Sequence, residues 1–348
     1  FPMTLTVTVQ PAGRTIDVPR DATILAAAIE QGIGLPYGCK DGACGSCKSR
    51  LLEGRVIHGV HQSKALSSEE EAAGFILTCC ATPQTDCTIE ARSVPAEGLH
   101  PVLKLPVRVI STEKPTTDVL RLRLQLPATQ NFQFHAGQYL EFILRDGSRR
   151  AYSMATAPVN LGEPPAIELH IRHMPGGKFT DHAFANLKER DILRAEGPFG
   201  SFFLRRESDK PMVFLASGTG FAPIKALIEQ LEADGNSRSV ALYWGGRRPA
   251  DLYLDGWVRE ATARLPWLQY VPVCSDVLPE DGWSGRSGFV HQAVLQDLPD
   301  LAGYEVYACG APIVIESAKR DYAAAGLPED CFFADAFTSE ADKHGATA

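Results

Sequence analysis

The chain has 348 residues, 45% of them hydrophobic and 22% charged, which suits two or three soluble globular domains. A formal net charge of −8 with no basic stripe argues against nucleic-acid binding. No apolar run approaches the roughly 20 residues of a membrane helix, and no charged-then-apolar leader precedes the first block. The expectation is a cytoplasmic protein with no membrane contact, with Met3 as its natural start.

In chain order, the first block runs to about residue 95. Asp21 is placed to cap a helix with Ile24, Leu25 and Ala28 on its inner face, and Gly32 ends it. Six of the nine cysteines fall in this block. An odd cysteine count without an export signal speaks against a disulfide framework. Three are spaced C-x4-C-x2-C at Cys39, Cys44 and Cys47, and Cys79 and Cys80 follow. Three thiolates from one tight loop plus a fourth from elsewhere is the ligand pattern of a plant-type [2Fe–2S] cluster. Gly38, Gly42 and Gly45 let the loop fold back on itself and bring amides toward sulfur. A structural zinc site would favour paired C-x2-C units instead. Ser67 then opens a second short helix, in which the Glu69–Glu71 acidic run compensates the helix dipole.

Residues 94–106 carry three prolines and little periodicity, as a linker would. Beyond them Leu120, Leu122, Leu124 and Leu126 alternate with polar residues, the period of a half-buried strand. More short strands broken by Gly and Pro predict a small antiparallel barrel. Within it come Arg150-Ala-Tyr152-Ser153, then His170-Ile-Arg172, then Gly176-Gly177-Lys-Phe-Thr180. A flavin nucleotide needs a cation for its diphosphate, an aromatic ring against its ring system, a hydroxyl near N5 and a glycine turn opening a helix. These residues supply that set in order.

The third block alternates buried strands with helices, which predicts a parallel sheet covered on both faces. The apolar run 212–216 leads into Gly218-Thr219-Gly220 and a helix with Pro223 in its first turn. The glycines permit a pyrophosphate to lie on that helix start, although this is not the G-x-G-x-x-G fingerprint. A second strand end, Ala308-Cys309-Gly310-Ala-Pro, places a thiol at the carboxyl edge of the sheet, where ligands of such sheets bind.

These motifs together resemble the ferredoxin–NADP reductase superfamily, in the branch with an N-terminal plant-type ferredoxin domain. The likeness extends from Met3 to about Phe337. Within the branch the chain resembles reductase components of bacterial ring-hydroxylating dioxygenases and the NADH-dependent reductase of CDP-dideoxyhexose synthesis. The latter likeness rests on Leu77-Thr78-Cys79-Cys80, on 288–292 and on 332–337. The resemblance implies a multidomain α+β chain. Its parts are a β-grasp ferredoxin over 3–93, a linker over 94–103, an antiparallel β-barrel FAD domain over 104–207 and an α/β parallel-sheet NAD domain over 208–340.

The resemblance also implies roles for matching residues. Leu-Thr-Cys points to Cys79 as the fourth ligand. Arg150, Tyr152 and Ser153 contact FAD, with Ser153 near N5, while Gly176, Gly177 and Thr180 hold the diphosphate, flanked by His170 and Arg172. Gly218, Thr219 and Gly220 line the nicotinamide site, and Cys309 approaches the nicotinamide ring. Asp335 and Phe337 match an acidic residue and an aromatic beside the flavin. Ser275-Asp276 stands where NADP-specific relatives often have Ser-Arg, and a carboxylate there favours NADH. The implied electron path runs from NADH through FAD and [2Fe–2S] to a protein acceptor. That acceptor is a terminal oxygenase or, alternatively, a CDP-sugar 3-dehydrase.

Overall fold

The computed structural model describes residues 3–95 and 99–344, so Phe1, Pro2 and residues 96–98 of the expected linker lie outside the described residues. The chain divides into two compact units, one of Phe1–Val102 with Ala336–Ala348 and one of Leu103–Asp335.

The first unit is built on a mixed five-stranded sheet. Its order is Arg14–Pro19, Thr4–Gln10, Cys87–Glu90, Lys48–Glu53 and Phe75–Leu77. Thr4–Gln10 runs antiparallel to Arg14–Pro19 and parallel to Cys87–Glu90. Ile16 and Val18 point into the core while Thr15 and Asp17 face out, the two-residue period of a sheet with one wet face. Helix Ile24–Glu30 adds Ile24, Leu25, Ala27 and Ala28 to that core. The cap of this helix is Thr23, whose hydroxyl accepts from Ala26 N–H, and not Asp21. Asp21 sits at φ +71 in the turn before it, a conformation Asp tolerates better than most residues. Ser67 and Glu70 form a reciprocal capping box on helix Ser68–Ala72, a device worth about 1 kcal/mol.

The second unit holds two sheets. The first is antiparallel, in the order Arg149–Ser153, Tyr139–Ile143, Ile192–Phe199, Leu103–Thr116, Val119–Gln125 and Ala166–Arg172. Among the described residues its end strands meet through one isolated bridge, Met154 to Leu169, and not through a ladder, so the expected barrel is not closed by hydrogen bonding. The second sheet has the order Arg286–Ser287, Leu268–Cys274, Val240–Gly246, Met212–Ser217, Glu305–Gly310 and Phe332–Ala336. Its central strands pair in parallel. Met212–Ser217 and Glu305–Gly310 are buried along almost their whole length, as strands covered on both faces must be. Helices Phe221–Ala233 and Pro312–Ala324 follow these two strands, so both helix starts lie at the carboxyl edge of the sheet. Among the described residues no helix is long and apolar enough to cross a membrane.

Candidate functional site

The thiol loop of the first unit brings its cysteines together as two pairs. Ala43 and Cys44 N–H groups both donate to Cys39 Sγ at 3.3 Å, and Cys39 and Ser46 N–H groups donate to Cys44 Sγ at 3.4 Å. The hydrogen bond from Cys39, with help from Ser46, pulls the Cys44 thiol below its ordinary range, toward the thiolate that metals bind. Cys79 makes a thiol hydrogen bond with Cys47. Cys80 lies 3.5 Å from Cys79 and gives its own thiol hydrogen to Val60 O at 3.5 Å. Gly42 and Gly45 both sit at φ +77, and a Cβ on Gly42 would lie 2.7 Å from Cys80 Sγ. Only glycine fits at residue 42, because the strained backbone and the steric clash act together.

Among the described residues, no three Cys, His, Asp or Glu side chains gather around a point that could hold one metal ion. Two thiol pairs are instead the donor set that two bridged irons require, two thiolates to each, so Cys39, Cys44, Cys47 and Cys79 fit a [2Fe–2S] cluster. The C-terminal segment reaches the same loop. Gln62, whose N–H donates to Gly42 O at 3.0 Å, gives its side-chain N–H to Lys343 O at 2.6 Å. Lys343 Nζ then lies 2.9 Å from Asp41 Oδ2.

In the second unit, Arg150, Tyr152 and Ser153 occupy one edge strand of the antiparallel sheet, and Tyr152 packs against Phe142 and Phe179. Ser153 is buried and donates to Asp335 Oδ2 at 3.2 Å, 182 residues away. Gly176, at φ +82, opens the turn into helix Lys178–Ala185, whose N-terminus has no side-chain cap. Thr180 keeps its hydroxyl within that turn, donating to Met174 O at 2.9 Å. Its contribution to a phosphate would therefore be its backbone amide. First-turn amides without a side-chain cap suit a diphosphate, although the Gly176 N–H is engaged by Asp181 Oδ2 at 3.1 Å. Arg172, from the last strand of the sheet, reaches the Gly218–Gly220 turn, where a Cβ on Gly218 would lie 3.3 Å from Arg172 Nη1. His170, two residues earlier, lies on the same face of that strand. Its ring is buried between Glu168 and Tyr253, away from any open face.

The two strand ends of the parallel sheet sit back to back. A Cβ on Gly220 would lie 2.2 Å from Cys309 O, and one on Gly310 2.2 Å from Ser217 Oγ. Ala311 N–H donates to Ser217 Oγ at 2.8 Å, joining the two turns. Gly218 O accepts from Trp244 Nε1 at 3.0 Å, and Phe221 stacks on Trp244 with ring centroids 4.1 Å apart. Such a stack adds about 1 kcal/mol to its area burial and fixes the turn against the sheet. Cys309 is fully buried, and burial pushes its thiol well above its ordinary range, so it is a neutral thiol and no nucleophile. Phe337 is half-buried just past strand Phe332–Ala336, in the segment that groups with the first unit.

Comparison with known proteins decides what this arrangement is. Residues 7–84 match the 2Fe-2S iron-sulfur cluster binding domain, 106–204 the oxidoreductase FAD-binding domain and 214–320 the oxidoreductase NAD-binding domain. A CDP-6-deoxy-L-threo-D-glycero-4-hexulose-3-dehydrase reductase of Yersinia pseudotuberculosis is 41% identical over 335 residues, 96% of this chain and 99% of that one. The chain belongs to the ferredoxin–NADP reductase superfamily, in the branch with an N-terminal ferredoxin domain. The reductase is also 36% identical to the phenol hydroxylase P5 protein of Acinetobacter pittii, over 98% of this chain and 96% of that one. It superposes on the crystal structure of the Amycolatopsis cytochrome P450 reductase GcoB with a TM-score of 0.78 and 34% identity, covering 97% and 99% of the two chains. It is an oxidoreductase with [2Fe–2S], FAD and NAD domains.

Several residues of the reductase escaped the motif reading. Lys225, Glu168, Glu229 and Tyr253 form a buried polar group between the two sheets, and Ser217 and Trp244 pin the Gly218–Gly220 turn. The signal for Lys225 was legible: one lysine inside the run Phe221-Ala-Pro-Ile-Lys225-Ala-Leu-Ile228, on a helix that is otherwise buried.

Proposed function

We propose that this reductase takes electrons from NADH and passes them singly to a terminal oxygenase. FAD when bound accepts a hydride and gives up single electrons, and [2Fe–2S] when bound relays them one at a time. The residues around these groups bind and orient. Arg150 and Tyr152 would hold the flavin, Ser153 with its partner Asp335 would present a hydroxyl to it, and Cys309 would approach the nicotinamide ring. Gly176, Gly177, Thr180 and Arg172 receive the diphosphate, and Gly218, Thr219 and Gly220 receive the nicotinamide nucleotide. No side chain is required as acid or base on a substrate. We assign 3–93 to the ferredoxin domain, 94–103 to the linker, 104–207 to the FAD domain, whose curved sheet serves as a flavin barrel, and 208–340 to the NAD domain.

The observation that carries this reading is the thiol loop arranged as two pairs in the same chain as the flavin and nicotinamide turns. A protein acceptor is supported by Val60, 87% exposed, whose carbonyl accepts from the Cys80 thiol beside the loop. That is an apolar contact placed where electrons leave. For NADH, Asp276 holds Arg247 and Asp281 holds Arg248 in ion pairs at the carboxyl end of the sheet. Neither arginine is left to meet a 2′-phosphate without giving up a carboxylate.

A second acceptor, a CDP-sugar 3-dehydrase, is favoured by one observation: the 41% identity that spans 99% of the Yersinia reductase. Anaerobic NADH should bleach the flavin and produce the electron paramagnetic resonance signal of a reduced [2Fe–2S] cluster. Bleaching without that signal in fully loaded protein would refute the relay. Product formation with a purified oxygenase, set against a purified dehydrase, separates the two acceptors.

A further inference from the structure

Between the two sheets of the second unit lies a polar group that none of the roles above uses. Glu168 and His170, on strand Ala166–Arg172 of the flavin sheet, are both more than nine-tenths buried. Lys225 comes from the opposite side, on the helix Phe221–Ala233 that follows the nucleotide turn, and is 7% exposed. Its ammonium lies 3.0 Å from Ala155 O, 3.2 Å from Glu229 Oε2 and 3.5 Å from Glu168 Oε2, with the Trp257 ring centroid at 5.2 Å. Glu229, one turn along the helix, accepts from Ala157 N–H at 3.4 Å. His170 spans from Glu168 at 2.9 Å to the Tyr253 hydroxyl at 2.8 Å. Arg121 Nη2 completes the group at 2.6 Å from Glu168 Oε1.

The position of these groups in the chain gives them their meaning. Ala155 and Ala157 lie two and four residues after Ser153, in the segment that leaves the flavin strand. That segment is fixed to its own sheet as well, because Ala155 N–H donates to Glu168 O at 2.8 Å and Thr156 Oγ1 accepts from Glu168 N–H at 2.9 Å. Lys225 lies five residues after Gly220, on the first turns of the helix that the nucleotide turn opens. One ammonium therefore ties the chain next to the flavin hydroxyl to the helix next to the nicotinamide turn. Burying a lysine is costly unless acceptors surround it, and ordinary packing between two sheets needs no such group. Charged hydrogen bonds of fixed length do set a separation more sharply than apolar contacts, which slide.

We propose that Lys225, held by Glu168 and Glu229, is a positioning residue that fixes the spacing between the flavin strand end and the nicotinamide turn. This deepens the NADH-to-flavin reading and rests on it. Affinity for the nucleotide comes from contacts within the NAD domain. Hydride transfer instead depends on the separation of two groups held by different sheets, where a misplacement of about 1 Å can cost on the order of a hundredfold. Loss of the tie should thus slow transfer without weakening binding.

The test uses flavin-loaded holoenzyme carrying K225M, and separately E229Q, which keeps two of the three acceptors around Lys225. Anaerobic stopped-flow reduction by saturating NADH should slow about tenfold or more in K225M and less in E229Q. The dissociation constant for NAD+, which needs no turnover, and the flavin content should stay within about twofold. The deuterium isotope effect on steady-state NADH oxidation should rise as transfer becomes limiting. If K225M does not fold, E229Q decides alone. Reduction at the wild-type rate in folded, loaded variants overturns the proposal, even with a lowered melting temperature, because that is a merely structural role. A weakened NAD+ affinity with an unchanged limiting rate also overturns it. Failure of the wild-type protein to bleach with NADH would strike instead at the underlying reading.

Discussion

Ser153 and Asp335 share a hydrogen bond of 3.2 Å from within two different sheets, with both side chains more than nine-tenths buried. The carboxylate fixes the serine rotamer, so the hydroxyl is aimed before any ligand arrives. In S153A the flavin should still bind, and its reduction by NADH should slow roughly ten- to a hundredfold, as loss of one positioned polar group does. D335N, which can still engage the hydroxyl, should cost less than D335A. Equal rates in all three proteins, measured by anaerobic flavin bleaching, would remove the pair from the site.

The choice between adjacent cysteines can be read from iron content. Cys79 lies against both Cys47 and Cys80, whereas Cys80 also reaches Val60 O. We expect C79S to lose the [2Fe–2S] chromophore and C80S to keep it, with NADH-driven flavin bleaching intact in both. An intact chromophore in C79S would move the fourth ligand to its neighbour.

Much of this was legible in the sequence because glycine and cysteine spacings state geometry directly. The Gly176-Gly177 turn opens helix Lys178–Ala185 and Gly218-Thr-Gly220 precedes helix Phe221–Ala233, as the glycine spacing suggested. Thr23 was missed as the helix cap because Asp21, two residues earlier, is an equally good capping type and only the φ of Asp21 excludes it. The His170 ring was expected at a cofactor. It is instead saturated by Glu168 and Tyr253, partners 2 and 83 residues away that no local pattern couples to it. The open edge of the flavin sheet likewise depends on one long-range pairing, Met154 with Leu169.

Coenzyme choice should respond to the carboxylates that occupy the two arginines. In D276S, Arg247 loses its partner and a like charge is removed from the 2′-phosphate position. The ratio of kcat/KM for NADPH to that for NADH should rise about tenfold, equivalent to ~1.4 kcal/mol. D276S/D281N, which also frees Arg248, should raise it further. An unchanged ratio in both would place the ribose elsewhere.

Lys343 places a cation 2.9 Å from Asp41, in the loop between Cys39 and Cys44 proposed to hold the cluster. A positive charge near a cluster favours its reduced form, and net local charge is one of the levers on its potential. K343M should therefore lower the midpoint potential by roughly 20–50 mV, the pair being partly solvated. D41N should raise it by a similar amount. Potentiometric titration followed by electron paramagnetic resonance reads both, and shifts of the wrong sign would break the link between this tail and the cluster.

Acid should act on the buried group around His170. Burial lowers the His170 pKa from its ordinary 6.5, with Lys225 and Arg121 adding to the effect against the pull of Glu168. Burial would raise Glu168, but the hydrogen bond from His170 and the charges of Lys225 and Arg121 outweigh it, so its carboxyl lies well below the usual range. Both groups bind more protons unfolded than folded, so each loses stability as pH falls. For His170 the loss begins as pH drops through about 6.5, where the unfolded ring takes up its proton and the buried ring resists. For Glu168 it begins near 4.5 and continues toward its lower folded value. Thermal unfolding should thus be nearly flat in this respect above about pH 7 and decline below 6.5. H170N keeps a hydrogen-bonding side chain, smaller than the ring and without a titrating proton, so it should be less stable at pH 7 but show a shallower decline between pH 6.5 and 5. An identical slope in wild type and H170N would assign the acid response to other histidines.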